Sequence, residues 1–249
     1  MKKILASLTM VSLLGGCATA YHPIPFDHAT SGISSLQLIN NDMPEQSSVR
    51  KLATNGQNIA SGASGAGLAG LFVVVAVAGV EGSIASDQNH KINAALATQK
   101  FDGKAIFNET LLADLHDQKY DTSIVHISRD EDHNLVDLNP QPQAPAGTAV
   151  LNVDGYAYGY QQVGGVKNWR PYVVVAVKMY DAKQPTKVLL DNYIEYNAVV
   201  PAPLTVNIPA DDTYSFDSVD AIQADPVKAA AGLKAALVAS AHATAQLMK

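Results

Sequence analysis

Three groups of residues in this chain have types and spacings that suggest chemistry. Gly65-x-Gly67-x-x-Gly70 has the spacing of a dinucleotide cradle, which works when a strand feeds the loop and a helix starts in it. Asp130-x-Asp132-x-Asn134 begins like a calcium loop. Asp211, Asp212, Asp217, Asp220 and Asp225 gather carboxylates of the kind a glycosidase uses in pairs. Each group fails a test of context. The residues before the glycines, ATNGQNIASGAS, are not a strand, and no βαβ unit with a matching acid follows, so no nucleotide is expected. A calcium loop needs Gly at its sixth position and a bidentate Glu at its twelfth; here stand Leu135 and Gln141. A solvated acidic loop with no metal is the expectation, although His133 sits among the acids. The five aspartates read as helix caps and solvated turns. No G-x-S-x-G, H-E-x-x-H or P-loop occurs, and the seven histidines are scattered. The expectation is a protein that is not an enzyme and carries no cofactor.

The remaining chemistry lies at Cys17, the single cysteine. Lys2 and Lys3 form a short positive region, and Ile4 to Leu14 is mostly apolar, the length of a secretory h-region and too short to span a bilayer. Leu14-Gly15-Gly16-Cys17 then places small residues before a cysteine. This resembles the lipobox of bacterial lipoproteins. The resemblance covers about the first twenty residues and implies that 1–16 are a signal peptide, removed as Cys17 is lipidated. Several acyl chains on one residue would give stable membrane attachment. Ala18 is not the Asp that would resemble an inner-membrane retention signal, so the resemblance implies the outer membrane, with the domain facing the periplasm. With Cys17 lipidated, neither a disulfide nor a cysteine-based metal site is available.

Charge narrows the partners. The formal net charge is −6; losing residues 1–16 removes Lys2 and Lys3 and no acid, giving −6 − 2 = −8. With no basic cluster, nucleic acid is not an expected partner and no polybasic membrane patch is present. The expected partners are the membrane, through the lipid, and a second copy or another envelope protein.

From Leu52 to Val80 no charged residue occurs until Glu81. On a helix, Gly62, Ala66 and Gly70 are spaced by four, as are Ser61, Gly65 and Ala69. Small residues at that spacing let helix backbones approach closely, as in membrane-packed helices. The continuous apolar part, Ala66 to Val80, is shorter than the roughly 20 residues of a full span. Segment 61–80 is therefore read three ways: a Gly-rich helix for core packing or self-association, a membrane-inserted helix, or, through Val73-Val74-Val75, a buried strand. Gly62, Gly65, Ala66, Ala69 and Gly70 are the candidate membrane or self-association residues.

The elements around these features give a fold. Residues 17–32, with two prolines, read as the lipidated cysteine and a flexible tether, and 33–249 as one α/β domain. Ile33 to Ile39 reads as a strand, Lys91 to Gln99 as a helix, and Asp102 as the cap of a helix with Phe107, Leu111 and Leu115 every fourth residue. Thr122 to Ile127 reads as a strand and 130–147 as an acidic, Pro-rich loop. Ala149 to Tyr160, Tyr172 to Asp181 and Lys187 to Asn197 follow as strands, the last two as a hairpin about Ala182–Pro185. Residues 198–212 read as loop. Asp225 and Pro226 then open a closing helix with a stripe at Ala230, Leu233, Leu237, Ala241, Thr244 and Met248.

The expectation is an α+β fold, an α/β sandwich. Its sheet is mixed, mostly antiparallel, of about five strands with packing helices, and a Gly-rich hydrophobic helix is added. GTAVLNVDGYAYGY followed by YVVVAVKMYDAKQPTKVLLDN resembles the strand and hairpin core of small periplasmic α/β lipoprotein domains. These include the curli-secretion lipoprotein, lipoprotein activators of penicillin-binding proteins, and the N-terminal domain of the Tol-system propeller protein. The resemblance is architectural, spans roughly residues 33–248 and implies no site residue.

Within Ala149 to Tyr160 the alternation places Leu151, Val153, Gly155, Ala157 and Gly159 on one face and Tyr156, Tyr158 and Tyr160 on the other. Tyrosine is large and amphipathic and suits interfaces or sugar rings. The tyrosine face is the candidate partner surface; a helix covering it is the alternative. The whole reads as a non-enzymatic binding or assembly role. The rivals are an oligomeric pore or secretion component built on 61–80, and an enzyme acting on envelope glycans.

Overall fold

The computed structural model describes residues 22–39, 43–52, 82–130, 135–136, 138–163, 168–198 and 205–249. Cys17 and segment 61–80, with Gly62, Gly65, Ala66, Ala69 and Gly70, lie outside the described residues.

Two long β-rich runs form the centre of one sheet. β4 (Thr148–Val163) pairs antiparallel with β5 (Trp169–Asp181), and β5 with β6 (Val188–Tyr196). The β5–β6 turn forms where read: the Asp181 carboxylate accepts from the Lys183 and Gln184 amides at 2.9 and 3.3 Å. β4 is long enough to carry two strands end to end on its other edge. β1 (Ser35–Ile39) lies beside Thr148–Leu151 and β2 (Ser48–Leu52) beside Gly159–Val163, both parallel to β4. β3 (Asp121–Val125) extends the sheet beyond β1, and β7 (Val206–Ile208) beyond β6, again in parallel. The main order is β3-β1-β4-β5-β6-β7.

The fold is mixed α and β, as expected, but the sheet has seven described strands rather than about five. Only its centre is antiparallel; the four outer pairings are parallel. β2 and β7 were missed for physical reasons. SVRKL carries two cations, and VNI is three residues inside a Pro-rich stretch, so neither shows a hydrophobic period.

Helices cover one face. α2 (Gly82–Thr98), α3 (Gly103–Asp117) and α5 (Pro226–Gln246) join the sheet in one core. Ile92, Phe107, Leu111, Leu115, Leu233 and Leu237 meet Leu36, Leu151, Val175, Val177 and Ile194 there, each at most 1% exposed. Asp102 and Asp225 cap as read, accepting from the amides of Ala105 and Lys228 at 2.9 and 3.0 Å. A short helix, α4 (Val219–Ala224), precedes α5 and was not foreseen.

The second face is buried too. The Pro-rich loop brings Leu135, Leu138 and Ala144 over Ile39, Val150 and Ala182. Further along, Tyr172, Val174, Ala176 and Tyr193 form another buried group. Burial of both faces explains the unbroken apolar run of β5, which shows no alternation.

The span read as a tether is docked in its described part. Ile24 exchanges two backbone hydrogen bonds with Asp191 at 2.9 and 3.0 Å. Phe26 packs on the core, and α1 (His28–Ser31) sets His28 edge-on to Tyr120.

Candidate functional site

The carboxyl ends of β1 and β3 form the floor and one wall of a cavity beneath α3. α3 places Lys104, Asn108, Leu111 and Leu112 on one side through its i, i+4, i+7, i+8 spacing. Leu38 and Ile39 come from the end of β1, Val153 from β4, and Ile124 and His126 from the end of β3. The cavity measures about 280 Å³. Its depth is apolar: Leu38, Ile39, Leu111 and Val153 are all buried. Its mouth is different. Lys104 is half-buried, His126 is exposed, and Ile124 is an isoleucine left 60% exposed at an edge strand. Neither Lys104 nor His126 bonds to another described side chain. Among the described residues that line the cavity there is no carboxylate. β3 is the last described strand at this edge, and α3 packs against it and against α5.

A polar group occupies the second face at the far end of β4. The Arg50 guanidinium lies 3.5 Å from the centre of the Tyr172 ring and donates to Gln161 Oε1 at 2.9 Å. Gln161 Nε2 in turn donates to the Asn197 carbonyl, and the Ser48 and Tyr172 hydroxyls bond to each other. Glu195, 6% exposed, closes the group. Burial pushes its carboxyl up to about 7, and the Arg50 charge only partly opposes this. Burial also lowers the Arg50 pKa. The group ties β2 to β4, β5 and β6.

The tyrosine prediction needs correction. Tyr158 and Tyr160 are 2% and 0% exposed and lie in the core beneath the helices, with Leu151 and Val153. A β-bulge between Gly155 and Ala157 inserts Tyr156 and reverses the alternation, so residues expected on opposite faces share one. Tyr156 sits at that bulge. The Tyr160 hydroxyl donates to the Ala229 carbonyl at 2.9 Å, and Gly103 and Gly232 leave the space that the Tyr158 and Tyr160 rings fill. Tyr158 and Tyr160 are therefore contacts within the fold and not an open partner surface. A signal for the bulge was present: an isolated Gly155 in a strand marks a bulge or a close approach. Here it marks both, since a Cβ at Gly155 would sit 2.9 Å from the Met43 Cα.

Four of the five aspartates before the last helix take structural roles. Asp211 and Asp225 cap helices, Asp212 pairs with Arg170 at 3.0 Å, and Asp220 lies 3.5 Å from Lys91. Of the calcium-like loop, Asp132 and Asn134 lie outside the described residues. Among the described residues no group of three or more side chains is placed to hold a metal ion, and no helix is long and apolar enough to cross a membrane. The cavity went unread because its residues come from three distant segments, 38–39, 104–126 and 153, with no shared motif.

No protein-family model matches the chain, and no curated protein or solved structure is significantly similar to it.

Proposed function

We propose that this chain is a lipid-anchored lipoprotein of the bacterial outer membrane, facing the periplasm, whose domain binds or assembles and performs no chemistry of its own. One observation carries the reading: Lys2-Lys3, the apolar run to Leu14, and Gly15-Gly16-Cys17 occur in the order a lipoprotein signal requires. The docking of the chain from Ile24 onward supports it, because few residues separate Cys17 from the folded domain. Such a domain would be held close to the membrane. The cavity under α3 supports a binding role, being apolar within and polar at its rim.

The test is Cys17→Ser in a bacterial envelope, with palmitate labelling and membrane fractionation. Labelling of the parent, with loss of label and release of the variant from the membrane, is the expected result. A variant that stays firmly bound, or a parent that takes no label, would remove the anchor reading.

A further inference from the structure

We propose that the cavity beneath α3 is a binding site for a free medium-chain carboxylate, about the size of octanoate, held with its tail inward and its carboxylate at the mouth. The inference deepens the binding half of the reading above and is independent of the lipid anchor.

Size sets the first limit. An apolar cavity of about 150 Å³ takes benzene, so about 280 Å³ accommodates on the order of ten non-hydrogen atoms. This is too small for the two long chains of a membrane lipid. Wall chemistry sets the second. Among the described lining residues Leu38, Ile39, Leu111, Leu112, Ile124 and Val153 are aliphatic and the one ring is His126 at the mouth, which suits a flexible alkyl chain within. Charge sets the third. Lys104 is the cation at the rim, with His126 beside the opening to supply a ring nitrogen. Neither is engaged by another described side chain, and no carboxylate is among the described lining residues. The partial exposure of Lys104 lets a bound carboxylate keep some water, so the pair avoids the cost of a buried charge. Ile124 provides an independent indication. It is 60% exposed at this mouth, and the first carbons of a bound chain would cover it.

The experiment titrates the full chain carrying Cys17→Ser with octanoate, following binding by calorimetry and by the carboxyl carbon signal of labelled ligand. The expected result is one-to-one binding, with octanol weaker than octanoate. Lys104→Gln should weaken octanoate roughly tenfold while leaving octanol unchanged, since a hydrogen bond to a charged group is lost. Leu112→Trp should fill the cavity and abolish binding of both. Lys104 is partly exposed, so Lys104→Gln keeps its fold, which a thermal melt checks. No binding of octanoate, equal binding of octanol, or binding indifferent to both substitutions would each overturn the proposal. So would binding to anionic vesicles without binding to free octanoate. Retention of the lipid anchor is read separately by fractionation, so the two readings fail independently.

Discussion

At the scale of single residues, the buried group on the second face makes the sharpest statement about pH. Glu195 titrates near 7 in the folded chain, above the 4.5 of an ordinary glutamate. The folded state therefore holds its proton more tightly than the unfolded chain does. The stability this provides is complete below about pH 4.5, declines as pH rises, and is gone above about 7. Glu195→Gln keeps the neutral shape and removes the titration. Denaturation in urea at pH 5 and pH 8 should show the parent losing up to roughly 3 kcal/mol between them, and the variant little. An equal slope in both proteins would mean that Glu195 is already ionised when folded. Gly159 makes a steric statement on the same strand. Its φ is +152°, and a Cβ there would lie 1.8 Å from the Ser48 carbonyl oxygen, which is backbone and cannot move alone. Gly159→Ala should cost roughly 3 kcal/mol or more by forcing β2 off β4, seen as a lowered urea midpoint. A midpoint near that of the parent would place β2 elsewhere.

At the scale of elements, the helix layer is held by shape more than by pairing. α5 buries Ala229, Leu233, Ala236, Leu237 and Ala241 on the sheet, with small residues letting its backbone come close. Leu237→Ala should cost about 2–5 kcal/mol, measured by the same urea titration, because the surrounding residues belong to several elements and cannot all collapse into the hole. A loss below about 1 kcal/mol would indicate a face that relaxes freely. The same layer shows what was legible in the sequence. Phe107, Leu111 and Leu115 were read correctly because every fourth position is a local signal, and the Asp102 and Asp225 caps because capping is local as well. Strand pairing is not local. Nothing near Ser48–Leu52 announces that it will lie beside β4 beyond β1, and its Arg50 finds Gln161 and Tyr172 more than a hundred residues away. The tyrosine stripe failed for the opposite reason. A strict period of two was extrapolated through Gly155, where one inserted residue changes the face of every residue after it.

At the scale of the whole molecule, the question concerns segment 61–80. β2 ends at Leu52 and α2 begins at Gly82, so in sequence the uncharged stretch joins two elements that both pack on the domain. Among the described residues, α2, α3 and α5 cover the helical face. Small residues at four-residue spacing favour helix association, so removing residues 61–80 should leave a folded chain whose change appears in association. Light scattering after gel filtration, on the Cys17→Ser chain with and without detergent, separates the readings. If the undeleted chain assembles or needs detergent while the deletion variant runs as a monomer with the same helix content by circular dichroism, the segment serves self-association or the bilayer. Roles in assembly or a pore then lead. If the undeleted chain is a monomer without detergent and the deletion variant loses its melting transition, the segment is part of the core. Glycines at four-residue spacing then serve close packing within one chain, and the cavity beneath α3 becomes the place to look for a partner.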